Sequence, residues 1–420
     1  MVQVLYSVWA LLLGVVLIML GNGMHSTLIG LRGDLEGFSA ASLAIIASGY
    51  FAGFLSGARL APVMIRRVGH VRVFAALGSF MSAGLIAFPL VTEPWVWTLL
   101  RLLVGFCMSG IYVASESWLN NAATNETRGK ILSAYMIAQT LGIIGAQGLL
   151  TLGDAATSAL FIGASILVSV SFAPILLSVS PAPAFETTKR LSFAALYRAS
   201  PLGCVGMFLL GGVFSAQFGM SAVWGTAEGL TIRQISIFVA AIYVGGLVFQ
   251  YPIGWASDLL GRRQLVLWLS AIGGVAMLLP VVFSLNFTSL LVIALLMGGV
   301  SNPLYSLLVA YTNDFLDLSD MAAASAGLMF INGLGAISGP VITGWVMEQM
   351  GPSGYFLLMG VLFLALAGYA AWRMTRRRVT LADQTASYTP ISPTSAALAV
   401  EAAMEAGQEH SEGAGKAPAP

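Results

Sequence analysis

Twelve apolar runs recur along this chain, separated by short polar gaps: approximately 5–29, 40–64, 73–92, 95–118, 131–152, 157–179, 202–224, 235–257, 265–285, 287–311, 323–346 and 354–373. A helix of about 20 residues is ~30 Å long, the thickness of a bilayer's hydrocarbon core. Lipid offers a free amide no partner, so runs of this kind must be helices. Hydrophobic residues make up 58% of the chain and charged ones 9%. A soluble domain carries about 25% charge, so little of this surface can face water. The first run is too long for a signal-peptide core and lacks a basic flank, which reads as a retained helix. Cys107 and Cys204 fall inside apolar runs without metal-ligand or redox spacing and read as packing residues. Neither a metal nor a cofactor is expected. A net charge of +1, with no basic patch interleaved with aromatics, gives no reason to expect nucleic acid.

The chain is one unit written twice. Arg66-Arg67-Val68-Gly69-His70-Val71-Arg72 returns as Asp258-Leu259-Leu260-Gly261-Arg262-Arg263-Gln264, and Gly69 and Gly261 lie 192 residues apart. At the same offset Glu36-Gly37 meets Glu228-Gly229, Ile45 meets Ile237, Gly53 meets Gly245 and Leu55 meets Leu247. With one extra residue, Tyr112 meets Tyr305, Asn120 meets Asn313, Met136 meets Met329 and Leu141-Gly142 meets Leu334-Gly335.

Of the 19 Lys and Arg residues, fifteen lie in alternate gaps or the C-terminal tail, two (Arg32, Arg233) in the opposite gaps, and two (Arg59, Arg101) within helices. Basic loops stay cytoplasmic, so both termini are expected inside a cytoplasmic (plasma) membrane. Both copies put their basic glycine loop on one side, so each unit has an even number of crossings. Six per unit fits the offset. The expected architecture is all-α with twelve membrane helices: a bundle over 1–179, a cytoplasmic linker over 180–200, a second, parallel bundle over 201–375, and a disordered cytoplasmic tail over 376–420, rich in Ala, Pro, Ser and Thr.

These residues resemble the major facilitator superfamily of secondary transporters, and the resemblance implies two parallel six-helix halves. Its loop between helices 2 and 3, Gly-x-x-x-Asp-x-x-Gly-Arg-Arg, is matched in full in the second half by Gly254, Asp258, Gly261, Arg262 and Arg263. The first half departs from it, with Pro62 for the glycine and Arg66 for the aspartate, leaving Arg67, Gly69 and a displaced Arg72. The resemblance implies that this aspartate helps lock a cytoplasmic gate. With that acid missing and Asp314, Asp317 and Asp320 clustered before helix 11, a charge-swapped latch is expected between Arg66 or Arg67 and Asp317 or Asp320. Two solvated loops are the alternative.

Helix 4 carries the family's Arg-x-x-x-Gly as Arg101 and Gly105, and on helical spacing Arg101, Gly105, Ser109, Tyr112 and Glu116 share a face. The resemblance implies that Arg101 faces the transport path near helix 1; a structural arginine pinning helices is the alternative. An arginine in lipid costs at least about 2.5–3.5 kcal/mol, so it needs a partner or water. Arg101 and His25 lie about 9–10 Å inside the same membrane face and stand level. Asn22 and Ser26 share the His25 face. His25 reads as a proton carrier or substrate ligand, or as a packing histidine. Gln217 is its repeat equivalent. Glu116 reads as a proton carrier or as the static half of a buried pair with Arg59. Gly298-Gly299, Pro303, Gly339 and Pro340 supply close approach and bends. Tyr305 follows Pro303.

The expected function is secondary active transport of a small organic solute by alternating access; proton coupling is what the resemblance implies. The expected partners are that solute, the lipid bilayer and protons, and the expected state is a monomer. A non-transporting receptor or assembly factor on the same scaffold is the rival. No Walker loop, zinc-protease run or nucleophile elbow is present, so an enzyme is not expected.

Overall fold

The computed structural model describes residues 2–176 and 192–376. Among them, 12 helices are long and apolar enough to cross a membrane. In chain order they are α1 (Val2–Leu35), α2 (Ala40–Val68), α3 (His70–Ala87), α4 (Pro94–Ala122), α5 (Asn125–Leu150) and α6 (Ala159–Val170, extended by Phe172–Leu176). The second half holds α7 (Pro201–Gly219, extended by Ser221–Ala227), α8 (Ile232–Leu259), α9 (Arg262–Val282), α10 (Phe287–Asn313), α11 (Leu318–Met350) and α12 (Gly354–Met374). Several helices outrun their apolar stretches, because polar end residues keep the helical hydrogen bonds beyond the hydrocarbon. The expected linker is described only from Ser192. It contains the short helix Phe193–Ala199, capped by the Ser192 hydroxyl, which accepts from the Ala195 amide at 3.2 Å. The expected tail lies outside the described residues except at Arg376.

The duplication is visible in the backbone. Gly37 and Gly229 both take positive φ, 77° and 75°. Each turn closes in the same way: Phe38 N–H donates to Gly33 O at 2.9 Å, and Leu230 N–H to Gly225 O at 2.9 Å. A residue with a Cβ is strained there, which explains both glycines. The helices that follow are capped alike, Ser39 accepting from Ser42 N at 3.2 Å and Thr231 from Gln234 N at 3.3 Å.

Pairing within the halves is also repeated. Helices α2/α4, α1/α5 and α3/α6 pack together in the first, α8/α10, α7/α11 and α9/α12 in the second. Glycines let the backbones touch. A Cβ on Gly53 would strike the Leu102 carbonyl, and one on Gly105 the Tyr50 carbonyl. Their repeat equivalents Gly245 and Gly298 would strike the carbonyls of Leu295 and Ile242. Close packing of this kind replaces the hydrophobic drive that lipid removes.

The perimeter is apolar: Trp268 is 64% exposed, Trp345 61% and Tyr251 83%. A surface studded with large exposed aromatics suits lipid and its interfaces, not water. This is a multi-pass membrane protein. The halves meet along α2/α11, α5/α8 and α1/α7. The meeting is tightest at the Gly37 end, where a Cβ on Gly344 would lie 2.9 Å from Ala40 O and one on Gly30 3.1 Å from Val223 N. There too the Glu348 carboxylate accepts from Ala41 N–H, at the start of α2, at 3.1 Å.

Candidate functional site

Between the halves, near mid-depth, lies a cavity of about 80 Å³ lined by Met136, Gln139 and Thr140 of α5, Tyr243, Gly246, Leu247 and Gln250 of α8, and Asn302 of α10. Tyr243 stacks on Phe218 with ring centroids 5.1 Å apart, Phe218 on Phe214 at 5.7 Å, and Phe214 meets Tyr305 edge-on at 6.2 Å. In the first half Tyr50 lies 6.2 Å from Phe54, and Phe54 is 6.0 Å from Tyr112. Aromatic rings from both bundles therefore face each other around the centre.

Two charged clusters flank this zone, separated along α4 by the fifteen residues from Arg101 to Glu116, or ~22 Å. Toward the Gly37 end, Arg101 is buried (3% exposed), with one guanidinium nitrogen 3.5 Å from His25 Nδ1 and its carbon 4.6 Å from the Tyr50 ring centroid. The sequence-level expectation that Arg101 and His25 stand level matches this contact. Asn22 sits beside the Tyr50 hydroxyl. His25 is fully buried, its ring edge-on to Phe88 at 4.5 Å and Phe161 at 5.8 Å. Toward the Gly69 end, Glu116 is fully buried, facing Tyr135 of its own half and Tyr305 of the other. Tyr112 shares that neighbourhood, and its hydroxyl meets Met19 Sδ at 3.4 Å.

The expected Arg59–Glu116 pair is not formed. Arg59 is exposed, and its guanidinium lies over the Phe330 ring of α11, 4.1 Å from the centroid. The two residues are similar in depth, but depth does not fix azimuth, and α2 turns Arg59 away from α4. In the second half Gln217 is fully buried and its amide oxygen accepts from Ser301 Oγ at 3.0 Å. One turn on, Ser221 hydrogen-bonds the Tyr355 hydroxyl at 2.7 Å. Tyr135, Ser301 and Tyr355 give no signal in the sequence: on their own helices they carry no charge or motif to draw attention.

At the Gly69 end, Arg262 is paired with Asp314, and it also donates to the Ala310 carbonyl at 3.2 Å. Arg263 is buried and reaches the Arg373 carbonyl at 3.5 Å. In the first half His70 occupies the Arg262 position and its Nε2 lies 2.8 Å from Ser117 Oγ. The charge-swapped latch is not seen: Arg66, Arg67 and Asp317 are exposed, and among the described residues neither Asp317 nor Asp320 is in an ion pair. The acid that does engage is Asp314, because it ends α10 directly beside the start of α9. The Asp258 side chain lies outside the described residues. The repeat-related Gly69 and Gly261 differ, with φ of 87° and −59°. Among the hinge candidates, Pro303 is buried inside α10. Pro340 lies inside α11, and Gly339 abuts Gly212 and Ser215 of α7. No cluster that could hold a metal ion occurs among the described residues.

Comparison with known proteins agrees with this architecture. Residues 202–403 match the Major Facilitator Superfamily model and residues 11–195 match a model described as Sugar (and other) transporter. The uncharacterized MFS-type transporter YcaD of Escherichia fergusonii is 24% identical over 84% of this chain and 92% of its own. The uncharacterized MFS-type transporter YfkF of Bacillus subtilis is 27% identical over 82% of this chain and 90% of its own. In fold the chain is similar to the nucleoside transporter NupG (a mutant form; TM-score 0.74, 16% identity, 87% of this chain and 99% of that one). It is also similar to a bacterial homologue of the human lysosomal transporter Spinster in an inward-facing, unoccupied conformation (TM-score 0.66, 13% identity, 96% and 98%). Paired six-helix halves, a glycine scheme repeated across them, and matches that together run along most of the sequence make this chain a member of the major facilitator superfamily.

Proposed function

We propose that this transporter moves a small organic solute by alternating access, coupled to protons, with the cavity between α5, α8 and α10 as part of its path. The observation that carries the reading is a mid-depth cavity walled by both bundles while the bundles are interlocked at the Gly37 end. A site reached from one side at a time needs such a seal, and rocking of rigid halves can move it. With the basic loops inside, the sealed end is the outer one, both termini are cytoplasmic, and the chain rests facing inward. The likeness to the inward-facing Spinster homologue supports that assignment. Glu116 is the coupling carboxylate: it is fully buried at the seam, and a phenol from the opposite bundle faces it. A buried acid at such a seam changes partners when the halves rock.

The test is flux. Purified protein in sealed proteoliposomes is given a pH gradient and a panel of small organic solutes. At least one solute should accumulate against its gradient, and Glu116→Gln should abolish accumulation while leaving solute exchange intact. Movement of no solute at all would end the transport reading. Accumulation unchanged in Glu116→Gln would end the assignment of Glu116.

A further inference from the structure

Arg101 is a buried cation without a counterion. Among the described residues no carboxylate lies within ion-pair distance of it. Its one side-chain hydrogen-bond contact is the 3.5 Å approach to His25 Nδ1, long for such a bond. Its Nε, the His25 Nε2 and the Asn22 Oδ1 are all buried with no protein partner. Leaving a charged group unsatisfied in a buried site costs far more than leaving an amide so. A protein that needed only to pin helices together would do better with an apolar side chain there. The remaining surroundings are aromatic: Tyr50 beneath the guanidinium, Phe88 and Phe161 against His25. Tyr50 also neighbours Tyr243 of the cavity wall, so this cluster is one ring away from the path.

We propose that Arg101, His25 and Asn22 form an anion subsite, and that the transported solute is an organic monoanion whose carboxylate docks on the Arg101 fork. The inference rests on the transport reading above and names the substrate class. The planar guanidinium matches a carboxylate with two parallel hydrogen bonds. One cation balances one negative charge; a dianion would leave a net charge buried in its place. The unpartnered Asn22 and His25 atoms are available for the solute's polar groups. Tyr50 lies between Arg101 and Tyr243, so its ring must swing to admit the carboxylate. The aromatic wall suits an apolar or aromatic body.

The test uses full-length protein in detergent, with benzoate, acetate and pyruvate as probes and benzamide as the neutral control, read by thermal shift and by isothermal titration. At least one monocarboxylate should bind wild type, benzamide should not, and Arg101→Gln should weaken that binding by about 10- to 100-fold. Arg101→Met should leave the apo Tm unchanged or raised, because no native ion pair is lost. A fall in apo Tm for Arg101→Met would make the residue a structural pin and overturn the proposal. So would equal binding of benzamide, unchanged carboxylate affinity in Arg101→Gln, or no binding of any carboxylate. Liposome flux separates this from the broader reading: transport of a neutral solute that ignores Arg101 removes the anion site and keeps the transporter, whereas Arg101-dependent benzoate binding without flux of any solute does the reverse.

Discussion

The first and second halves share a packing scheme but keep their charges in different places. Gly53 with Gly105 and Gly245 with Gly298 make the same backbone contacts. Within the spans, however, the first half holds Arg101, His25 and Glu116, where the second has Ile293-Ala294, Gln217 and Val309. At the Gly69 end the bias reverses: His70 with Ser117 is uncharged chemistry where the second half has Arg262 with Asp314. Where backbone touches backbone, neither partner can drift alone. A pair of polar side chains can be exchanged together at little cost. Duplication therefore leaves a symmetric scaffold and asymmetric chemistry, which suits a solute whose two ends differ.

The asymmetry breaks most sharply at the Gly69 end. Asp314→Ala removes a carboxylate partner of Arg262, whose side chain is 3% exposed and cannot shed its charge. We expect a loss of about 3 kcal/mol, the low end for a broken buried pair, because the Ala310 carbonyl remains. His70→Ala, at the equivalent place, removes the hydrogen bond to Ser117, a contact worth about 1 kcal/mol, and should cost less than Asp314→Ala. Denaturant unfolding of both variants in the same detergent checks the ratio; equal losses would mean that the two ends are held alike.

The symmetry of the scaffold gives an intermediate effect. Gly105→Ala and Gly298→Ala each drive a methyl into a carbonyl of the neighbouring helix and should cost about 1–3 kcal/mol, by similar amounts. Gly148→Ala, with nothing within 4 Å of the added carbon, should be neutral or slightly stabilising. A Tm series over the three variants decides it. A large loss for one interlock and none for its twin would mean that the repeated contact carries weight in only one half.

The spans, the duplication and the height of each charge were legible in the sequence because they depend on one dimension: hydropathy along the chain and rise per residue. The Arg101–His25 approach at 3.5 Å follows from matching heights plus a shared polar face. Arg59 and Glu116 also match in height, yet Arg59 turns to Phe330, because azimuth is set by how α2 packs against α4 and α11. Asp314 was legible as an acid but not as the partner of Arg262. That choice depends on α9 starting beside the end of α10, a tertiary fact. Tyr135 and Ser301 gave no signal, since a lone hydroxyl in an apolar helix acquires meaning only from what faces it.

The last effect is a pH slope at Asp314 in the second half. Asp314 lies just past the end of its span, where burial pushes its carboxyl up from the ordinary 3.8 to about 6 while Arg262 pulls the other way. As pH falls, the folded chain takes up this proton near 6, whereas an unfolded chain waits until about 4. Between those values the folded state binds more protons than the unfolded one, so this group's contribution to stability rises as the medium is acidified from about pH 7 to about pH 4, then levels off. Asp314→Asn keeps the shape and removes the titration. The Tm difference between wild type and Asp314→Asn should therefore shift in favour of wild type across that window. A flat difference would place the Asp314 carboxyl in its ordinary range, and the Arg262 contact would then just offset burial.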